Sequence, residues 1–134
     1  MKILFVCAGN VARSQIAEVL FNKLSKNVSL SAGTEVGRNE GQRLKELKYA
    51  KFTVSCMKEE GFNILENKRK QLTKEMVDNA DKVICMVEEY PTYLENNKVT
   101  FWHVADPYKH TLEFTCQIKD QIRKLVENLV EEIG

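Results

Sequence analysis

The residues with the clearest chemical potential form one short segment near the start of the chain, from Cys7 to Ser14. Cys7 follows the apolar run of residues 3–6, and Arg13 stands six positions later, where an amphipathic segment begins. Five intervening residues allow the chain to curl so that its backbone N–H groups point into one concavity. The N-terminus of a following helix would add partial positive charge, and Arg13 would supply a forked donor for phosphate oxygens. The spacing therefore predicts a loop that binds phosphate.

Cys7 lies in the same electrostatic field as the anion that this loop would bind. Backbone amides, the helix end and a guanidinium group all stabilise the thiolate, which is the nucleophilic form of cysteine. Ser14 can hydrogen-bond the sulfur and stabilise it as a leaving group. Gly9 is expected to permit a backbone geometry that a side chain would hinder. We therefore expect Cys7 to attack the phosphorus atom of a phosphate ester.

Attack on a phosphate ester also requires a proton donor for the leaving oxygen. Asp106 is the candidate, because it follows a predicted strand and Pro107 stiffens its turn. Asp106 would donate a proton to the leaving group and later accept one from water. An Asp-Pro pair by itself is a common turn, so this role depends on the fold bringing Asp106 next to Cys7.

The elements that must position these residues alternate along the chain. Apolar runs and alternation predict strands at residues 2–6, 28–31, 82–86 and 99–104. Apolar residues at helical spacing predict helices at residues 14–25, 44–60, 74–79 and 118–133. We therefore expect a single α/β domain over residues 1–134, with a four-stranded, mainly parallel sheet flanked by helices on both faces. The phosphate loop after the first strand and the loop after the fourth would meet at the carboxyl edge of this sheet.

Composition excludes several classes of function. The 134 residues are 43% apolar and 29% charged, as is usual for one globular domain. The 20 basic and 19 acidic side chains nearly cancel, so no net field favours a nucleic acid or an anionic membrane. The apolar run at residues 3–6 is too short for a membrane span or a signal peptide. We expect a cytoplasmic monomer that binds neither nucleic acids nor membranes.

The four cysteines stand far apart in the sequence, at positions 7, 56, 85 and 116. They form no C-x-x-C pair and no zinc-type cluster with histidine, so no metal site is expected. In a cytosolic chain all four should be reduced. Cys56 and Cys85 are expected in the core and Cys116 half-buried near the start of the last helix.

Several of these segments together resemble the low-molecular-weight protein tyrosine phosphatases and the related thioredoxin-coupled arsenate reductases. The similar segments are residues 6–15 (phosphate loop), 31–34 (the motif after a strand), 80–84 (third strand) and 106–107 (acid loop). The resemblance implies that Cys7 takes the phosphoryl group with Asp106 as general acid. Water would then hydrolyse the phosphocysteine with Asp106 as base, while Arg13 and the loop amides stabilise the equatorial oxygens.

The same resemblance implies supporting roles for further residues. Those that would bind or support the phosphate within the loop are Ala8, Gly9, Asn10, Val11, Ala12 and Ser14. Asn10 and Ser31 are similar to family residues that brace the loop by hydrogen bonds, and Tyr108 resembles an aromatic residue that lines the substrate cleft. The implied partners are a phosphorylated protein and, in the loop, inorganic phosphate or a similar oxyanion. No metal or organic cofactor is implied.

The chain departs from the pattern of that family in three places, and Val11 bears on substrate choice. Ala12 stands where many members have a second cysteine that forms a protective disulfide with the nucleophile. Residues 35–49 do not match the family's shorter, proline-containing connection. Lys109 replaces an aromatic residue found in some members, which would weaken stacking on a phenyl ring and favour an acidic sequence around the phosphosite. Val11 is branched and apolar, like the isoleucine of tyrosine-specific members, whereas threonine accompanies phosphoarginine specificity. The Val11 side chain therefore favours phosphotyrosine.

Two other functions share such a loop. An arsenate reductase needs two further cysteines on a segment after the third strand, whereas this chain has Cys85 within that strand and no cysteine in residues 88–98. A phosphocysteine carrier, or a module that only binds phosphate, also has a cysteine after its first strand but needs no general acid, so Asp106 distinguishes it. We therefore expect a phosphatase acting on phosphotyrosine in proteins.

Overall fold

The computed structural model describes residues 1–134 and contains alternating strands and helices. The strands are β1 (Lys2–Cys7), β2 (Val28–Gly33), β3 (Lys82–Cys85) and β4 (Val99–Phe101). The α-helices are α1 (Arg13–Leu24), α2 (Lys51–Glu59), α3 (Lys74–Asn79) and α4 (Leu112–Ile133). Short 3-10 helices span Gly37–Asn39, Leu44–Glu46, Lys48–Ala50 and Thr92–Leu94. None of the helices combines the length and the apolar composition that crossing a bilayer requires.

The four strands form one parallel sheet in the order β2-β1-β3-β4. In this order β1 is an inner strand, and Leu4 pairs with Leu30 of β2 on one side and with Val83 of β3 on the other. A strand that is buried on both faces carries a continuous apolar run, and the side chains of residues 3–6 are all buried. The predicted α/β class and four-stranded parallel sheet are confirmed.

Helices cover both faces of the sheet. On one face α1, α2 and α4 pack over the larger apolar core, in which Phe5 lies edge-on to Phe21 with ring centroids 5.8 Å apart. On the other face α3 and the 3-10 helix at Thr92–Leu94 cover a smaller core around Leu4 and Val83. The site-bearing end of β1 is therefore fixed from both sides.

The predicted helix over residues 44–60 is wrong in its first part. The helix α2 begins only at Lys51, and two separate 3-10 turns precede it. The backbone N–H of Leu44 donates to the carbonyl of Asn67 at 3.0 Å, a partner in a distant segment. Leu44 and Leu47 are nevertheless buried, so their helical spacing reflects two turns packed on the core. Periodicity in the sequence does not reveal such a tertiary pairing.

The prediction that all four cysteines are reduced is also wrong. Cys56 and Cys116 form a disulfide that joins α2 to α4. They are 60 positions apart in sequence, but the packing of α2 against α4 brings their Cα atoms to 5.5 Å. Cys7 and Cys85 are free and buried. The disulfide therefore fixes the position of α2 without involving Cys7.

A charged cluster forms a second connection between α2 and α4. Lys119 is 5% exposed and donates to Glu60 at 3.0 Å, and Arg123 also pairs with Glu60. The hydrogen bond from Lys119 holds the pKa of Glu60 below its ordinary value. Burial alone would lower the pKa of Lys119, but the hydrogen bond and charge of Glu60 outweigh burial and raise it. The segment that ends α2 is therefore connected to α4 twice, at Cys56 and at Glu60.

Candidate active site

The loop between β1 and α1 has its backbone carbonyls bonded to surrounding segments. Hydrogen bonds from Thr34, Glu35, Arg69 and Gln15 are accepted by the carbonyls of Cys7, Ala8, Gly9 and Asn10, in that order. By contrast, the backbone N–H groups of residues 8–12 donate to no acceptor in the protein. The N-terminus of α1, which begins at Arg13, adds its own N–H groups at the same place. Such a loop is an anion-binding concavity built from backbone donors.

Asn10 is the residue that gives the loop its shape. Its backbone is left-handed, with φ +54°, a conformation that asparagine tolerates better than most residues. Its amide nitrogen donates to the hydroxyls of Ser14 (2.8 Å) and Ser31 (3.0 Å). Its amide oxygen accepts from Gln15 Nε2 (3.2 Å) and from the backbone N–H of Lys70 (2.8 Å). Sequence analysis named Asn10, Ser14 and Ser31 but assigned no role to Gln15 or Lys70.

Gly33, rather than Gly9, is the glycine that the loop geometry requires. A Cβ on Gly33 would lie 2.4 Å from the carbonyl oxygen of Ala8 and 2.8 Å from the backbone nitrogen of Asn10. The end of β2 therefore approaches the loop more closely than any other residue type allows. A Cβ on Gly9 would have only ordinary contacts, the nearest at 3.6 Å to Arg69 Nη2, and its φ is not positive. The expected backbone role of Gly9 is wrong.

Cys7 ends β1 beneath this loop and is 2% exposed. Its Sγ lies 2.9 Å from the hydroxyl oxygen of Ser14. Because Asn10 already donates to that oxygen, the hydroxyl hydrogen of Ser14 is free to be donated to the sulfur. A hydroxyl donor at this distance can form a charge-assisted hydrogen bond to a cysteine thiolate.

Arg13 connects the loop to the neighbouring strands. Its Nη1 donates to the carbonyls of Met86 (2.5 Å) and Val104 (3.1 Å), while its Nη2 lies 3.6 Å from a carboxylate oxygen of Asp106. The predicted strand to residue 104 is therefore too long: β4 ends at Phe101, and the Val104 carbonyl turns towards the arginine instead. These bonds hold the guanidinium beside the loop with Nη2 on the side of Asp106.

Asp106 reaches the site from the loop that follows β4. Its Oδ1 accepts the backbone N–H of Tyr108 at 3.0 Å, and about half of its side chain is exposed (51%). Asp106 lines the same cleft of about 590 Å³ as Cys7 and Arg13. The carboxyl edge of the sheet thus brings together residues from opposite ends of the sequence, as expected for an α/β fold.

The remaining predicted residues are divided between the cleft wall and the layer beneath it. Those that line the cleft are Ala8, Gly9, Val11, Ala12 and Tyr108. Those that are buried and support the loop are Asn10, Ser14 and Ser31. The structure therefore brings every predicted site residue to one place.

Aromatic residues at the cleft mouth come from two segments. Tyr49 and Tyr108 meet edge to face with ring centroids 5.4 Å apart, and Phe52 of α2 lines the same cleft. Lys109 Nζ lies 5.4 Å from the centre of the Tyr108 ring. Only Tyr108 was predicted, because nothing in the spacing of residues 35–60 shows that this segment folds over the loop. Residues 35–49, which do not match the family's shorter connection, therefore contribute to the wall of the cleft.

A cysteine at the end of β1, a loop of free backbone donors and an arginine at the helix start define a cysteine-based, anion-binding α/β site. The pattern of the family described as "Low molecular weight phosphotyrosine protein phosphatase" matches residues 2–134. The chain belongs to this family, and the resemblance inferred from its motifs is confirmed.

The names of individual relatives give three different activities. The low molecular weight phosphotyrosine protein phosphatase of Sus scrofa is 34% identical over 64% of this chain and 54% of its own length, so the match spans about half of that relative. The protein-arginine-phosphatase of Bacillus subtilis is 26% identical over 99% of this chain and 97% of its own. The glutaredoxin arsenate reductase of Synechocystis is 28% identical over 99% and 98%. Among solved structures, the low molecular weight protein tyrosine phosphatase from T. tengcongensis is 30% identical with a TM-score of 0.80, covering 98% of this chain and 99% of its own.

Proposed function

We propose that this protein hydrolyses phosphotyrosine in proteins through a phosphocysteine intermediate on Cys7. The observation that carries the proposal is the loop whose N–H groups at residues 8–12 donate to no protein acceptor, directly after the Cys7 sulfur. Preorganised donors of this kind stabilise the negative oxygens of a phosphoryl group in the transition state. Membership of the phosphatase family supports the same reaction.

In the first step the Cys7 thiolate attacks phosphorus, and the bond between phosphorus and the tyrosine oxygen breaks. Asp106 donates a proton to that oxygen, so tyrosine leaves as a neutral phenol. Arg13 Nη2 and the loop amides carry the charge of the equatorial oxygens. The 3.6 Å separation of Arg13 and Asp106 supports this division of roles within one cleft.

In the second step water attacks the phosphocysteine, and the bond between phosphorus and sulfur breaks. Asp106 takes a proton from the water, inorganic phosphate is released and Cys7 returns to its thiolate form. The Ser14 hydroxyl stabilises the leaving thiolate by a hydrogen bond and keeps its own proton. The cycle balances without a further co-reactant, and the general base in the cleft supports hydrolysis over a lasting phosphocysteine carrier.

The lining of the cleft supports an aromatic leaving group. Tyr49, Phe52 and Tyr108 offer ring faces and edges, against which a phenyl ring packs favourably. Val11 gives the loop an apolar side chain on the same cleft. The guanidinium of phosphoarginine would instead meet nearby lysines of like charge, including Lys109. Phosphotyrosine is therefore the favoured substrate.

Arsenate reduction receives less support from the positions of the thiols. The reaction needs two further cysteines to receive and pass on a disulfide. Cys85 is fully buried, and burial raises the pKa of its thiol, which disfavours the reactive thiolate. Cys56 and Cys116 are bonded to each other. A relay of thiols from Cys7 thus lacks its second and third members.

The proposal is tested by parallel assays with a phosphotyrosine peptide, a phosphoarginine protein, and arsenate with thioredoxin. We expect turnover of the first, complete loss in Cys7→Ser, and retained turnover in the matched control Cys85→Ser, which changes a buried thiol outside the mechanism. Inorganic phosphate should inhibit competitively, because it binds the same loop. Full turnover in Cys7→Ser, or turnover confined to phosphoarginine or arsenate, would contradict the proposal.

A further inference from the structure

Arg69 is a second buried arginine in the cleft wall, and the mechanism does not use it. It lies in the connection between α2 and α3 and is 5% exposed, yet it lines the same cleft as Cys7 and Arg13. The residue carried no motif in the sequence, where it stands in the basic run of residues 68–70. Arg69 therefore places a buried positive charge in the cleft wall.

The contacts of Arg69 satisfy only part of its guanidinium. Nε donates to the carbonyl of Gly9 at 2.9 Å, and Nη1 donates to Gln42 Oε1 (2.9 Å) and to the hydroxyl of Tyr49 (3.1 Å). These three acceptors are uncharged, and Arg69 forms no ion pair with any carboxylate of the protein. Nη2 has no hydrogen-bond partner and lies 3.6 Å from the position of a Cβ on Gly9. A buried guanidinium without a counter-charge is costly, so the free donor marks a place for an anion.

The neighbours of Arg69 increase the positive charge on this wall. Lys48 and Lys51 line the cleft from the segment that carries Tyr49, and neither forms an ion pair in the protein. The acidic residues of the cleft are Asp106, which is paired with Arg13, and Glu35. Two acidic side chains therefore face five Lys and Arg residues in one cleft, which favours an anionic ligand over a neutral one.

Arg69 lies outside the phosphate loop. The Nε of Arg69 donates to the carbonyl of Gly9, whereas the phosphate would bind the backbone N–H groups of the loop. The phosphate is therefore assigned to the loop amides, and Arg69 Nη2 remains available to another group of the substrate. A second anionic group, carried by the substrate next to the phosphorylated residue, fits the free donor.

We propose that Arg69, with Lys48 and Lys51, forms a subsite for a carboxylate next to the phosphotyrosine, so that the preferred substrates are acidic phosphotyrosine sequences. This inference rests on the proposed phosphotyrosine phosphatase function. Arg69 Nη2 supplies a free donor whose position is fixed by the bonds of Nε and Nη1, and the two lysines supply longer-range attraction. Arg69 is thereby a specificity-determining residue and does not take part in bond breaking.

The test compares phosphotyrosine peptides that differ only by Asp or Asn, scanned from two residues before the phosphotyrosine to two after it. For at least one position, wild-type kcat/KM should be about tenfold higher for Asp than for Asn, as expected for a charge-assisted hydrogen bond. In Arg69→Gln this ratio should fall to near one. The matched control Arg38→Gln removes the same charge from an exposed position outside the cleft and should keep the wild-type ratio.

Arg69 also donates hydrogen bonds to Gly9 and Tyr49, so its replacement can disturb the loop itself. A second variant therefore tests substrate recognition without removing these bonds. The double substitution Lys48→Gln and Lys51→Gln leaves every Arg69 bond intact and should lower the Asp-to-Asn ratio partially. The wild-type ratio should also decrease with added salt. A wild-type ratio near one at every position, or an unchanged ratio in Arg69→Gln, would overturn the subsite while leaving the phosphatase function intact. Failure to hydrolyse either peptide would overturn the proposed function itself.

Discussion

The Cys7 sulfur and the Ser14 hydroxyl oxygen lie 2.9 Å apart, and Asn10 donates to the same hydroxyl from the other side. The two contacts fix the direction of the serine hydrogen, because an oxygen that already accepts from the amide can donate its own hydrogen to the sulfur. The relationship links a backbone feature, the left-handed Asn10, to the reactivity of the nucleophile.

Substitution Ser14→Ala should lower kcat for p-nitrophenyl phosphate by roughly ten- to a hundredfold, the equivalent of one hydrogen bond to a charged group. The loss should appear mainly in breakdown of the phosphocysteine, where sulfur is the leaving group, so rapid-quench kinetics should show a larger burst of nitrophenol. Ser29→Ala is the matched control, since Ser29 is equally buried but bonds to Asn22 away from the cleft. Equal losses in both variants would argue against a role for the serine hydrogen.

Substitution Asp106→Asn should lower kcat/KM more for phenyl phosphate than for p-nitrophenyl phosphate. The poorer leaving group depends more on protonation, and loss of a general acid costs on the order of 10²–10⁴ in rate. Asp81→Asn provides the control, because Asp81 accepts the Lys2 N–H at the amino end of β1, away from the cleft. If both substrates slowed by the same factor in Asp106→Asn, its assignment as the proton donor would fail.

The two glycines near the loop should differ in how much an added methyl group destabilises the protein. Gly33→Ala should lower the free energy of unfolding by about 1–3 kcal/mol, since its Cβ would overlap backbone atoms of Ala8 and Asn10 that cannot turn aside. Gly9→Ala should change that free energy by less than about 1 kcal/mol, because its Cβ meets only ordinary contacts. Urea denaturation measures the free energy of unfolding of both variants. Similar losses in the two would contradict the close approach of Gly33 to Ala8 and Asn10.

The ion pairs of Glu60 with Lys119 and Arg123 should make the free energy of unfolding depend on pH. The hydrogen bond from Lys119 lowers the pKa of Glu60 from 4.5, so the ionised form stabilises the folded state above pH 4.5. That contribution is lost as the pH falls below 4.5 through the lowered pKa. Glu60→Gln should therefore cost about 1–2 kcal/mol at pH 7, after allowance for partial exposure of Glu60, and progressively less in acid.

Denaturation of both proteins at several pH values measures this difference. Glu66→Gln is the control, because the pKa of Glu66 is also lowered, chiefly by a hydrogen bond from Lys45, but the pair is exposed and screened by water. At neutral pH, Glu66→Gln should lower the free energy of unfolding by less than Glu60→Gln does. A Glu60→Gln difference that stayed constant from pH 7 into strong acid would rule out the ion pair as its source.

Much of the architecture followed from local patterns in the sequence. The run at residues 3–6, the turn after it and the amphipathic segment beginning near Arg13 are short-range signals, and they predicted β1, the loop and α1 closely. The same patterns fixed the α/β class, because alternating strands and helices have few ways to bury their apolar faces. The resemblance to the family rested on residues 6–15, 31–34, 80–84 and 106–107, and the match over residues 2–134 confirmed it.

Only the tertiary structure decided which distant segments meet around the loop. The bonds from Arg69 to Gly9, the approach of Gly33 to Ala8 and the disulfide between α2 and α4 join residues far apart in sequence. No periodicity records such contacts, since they depend on how whole elements pack rather than on the preference of a segment for one conformation. The spacing of Cys7 and Arg13 in the sequence was therefore enough to predict the nucleophile. The charged and aromatic wall of the cleft, which includes Tyr49 and Arg69, could not be predicted in this way.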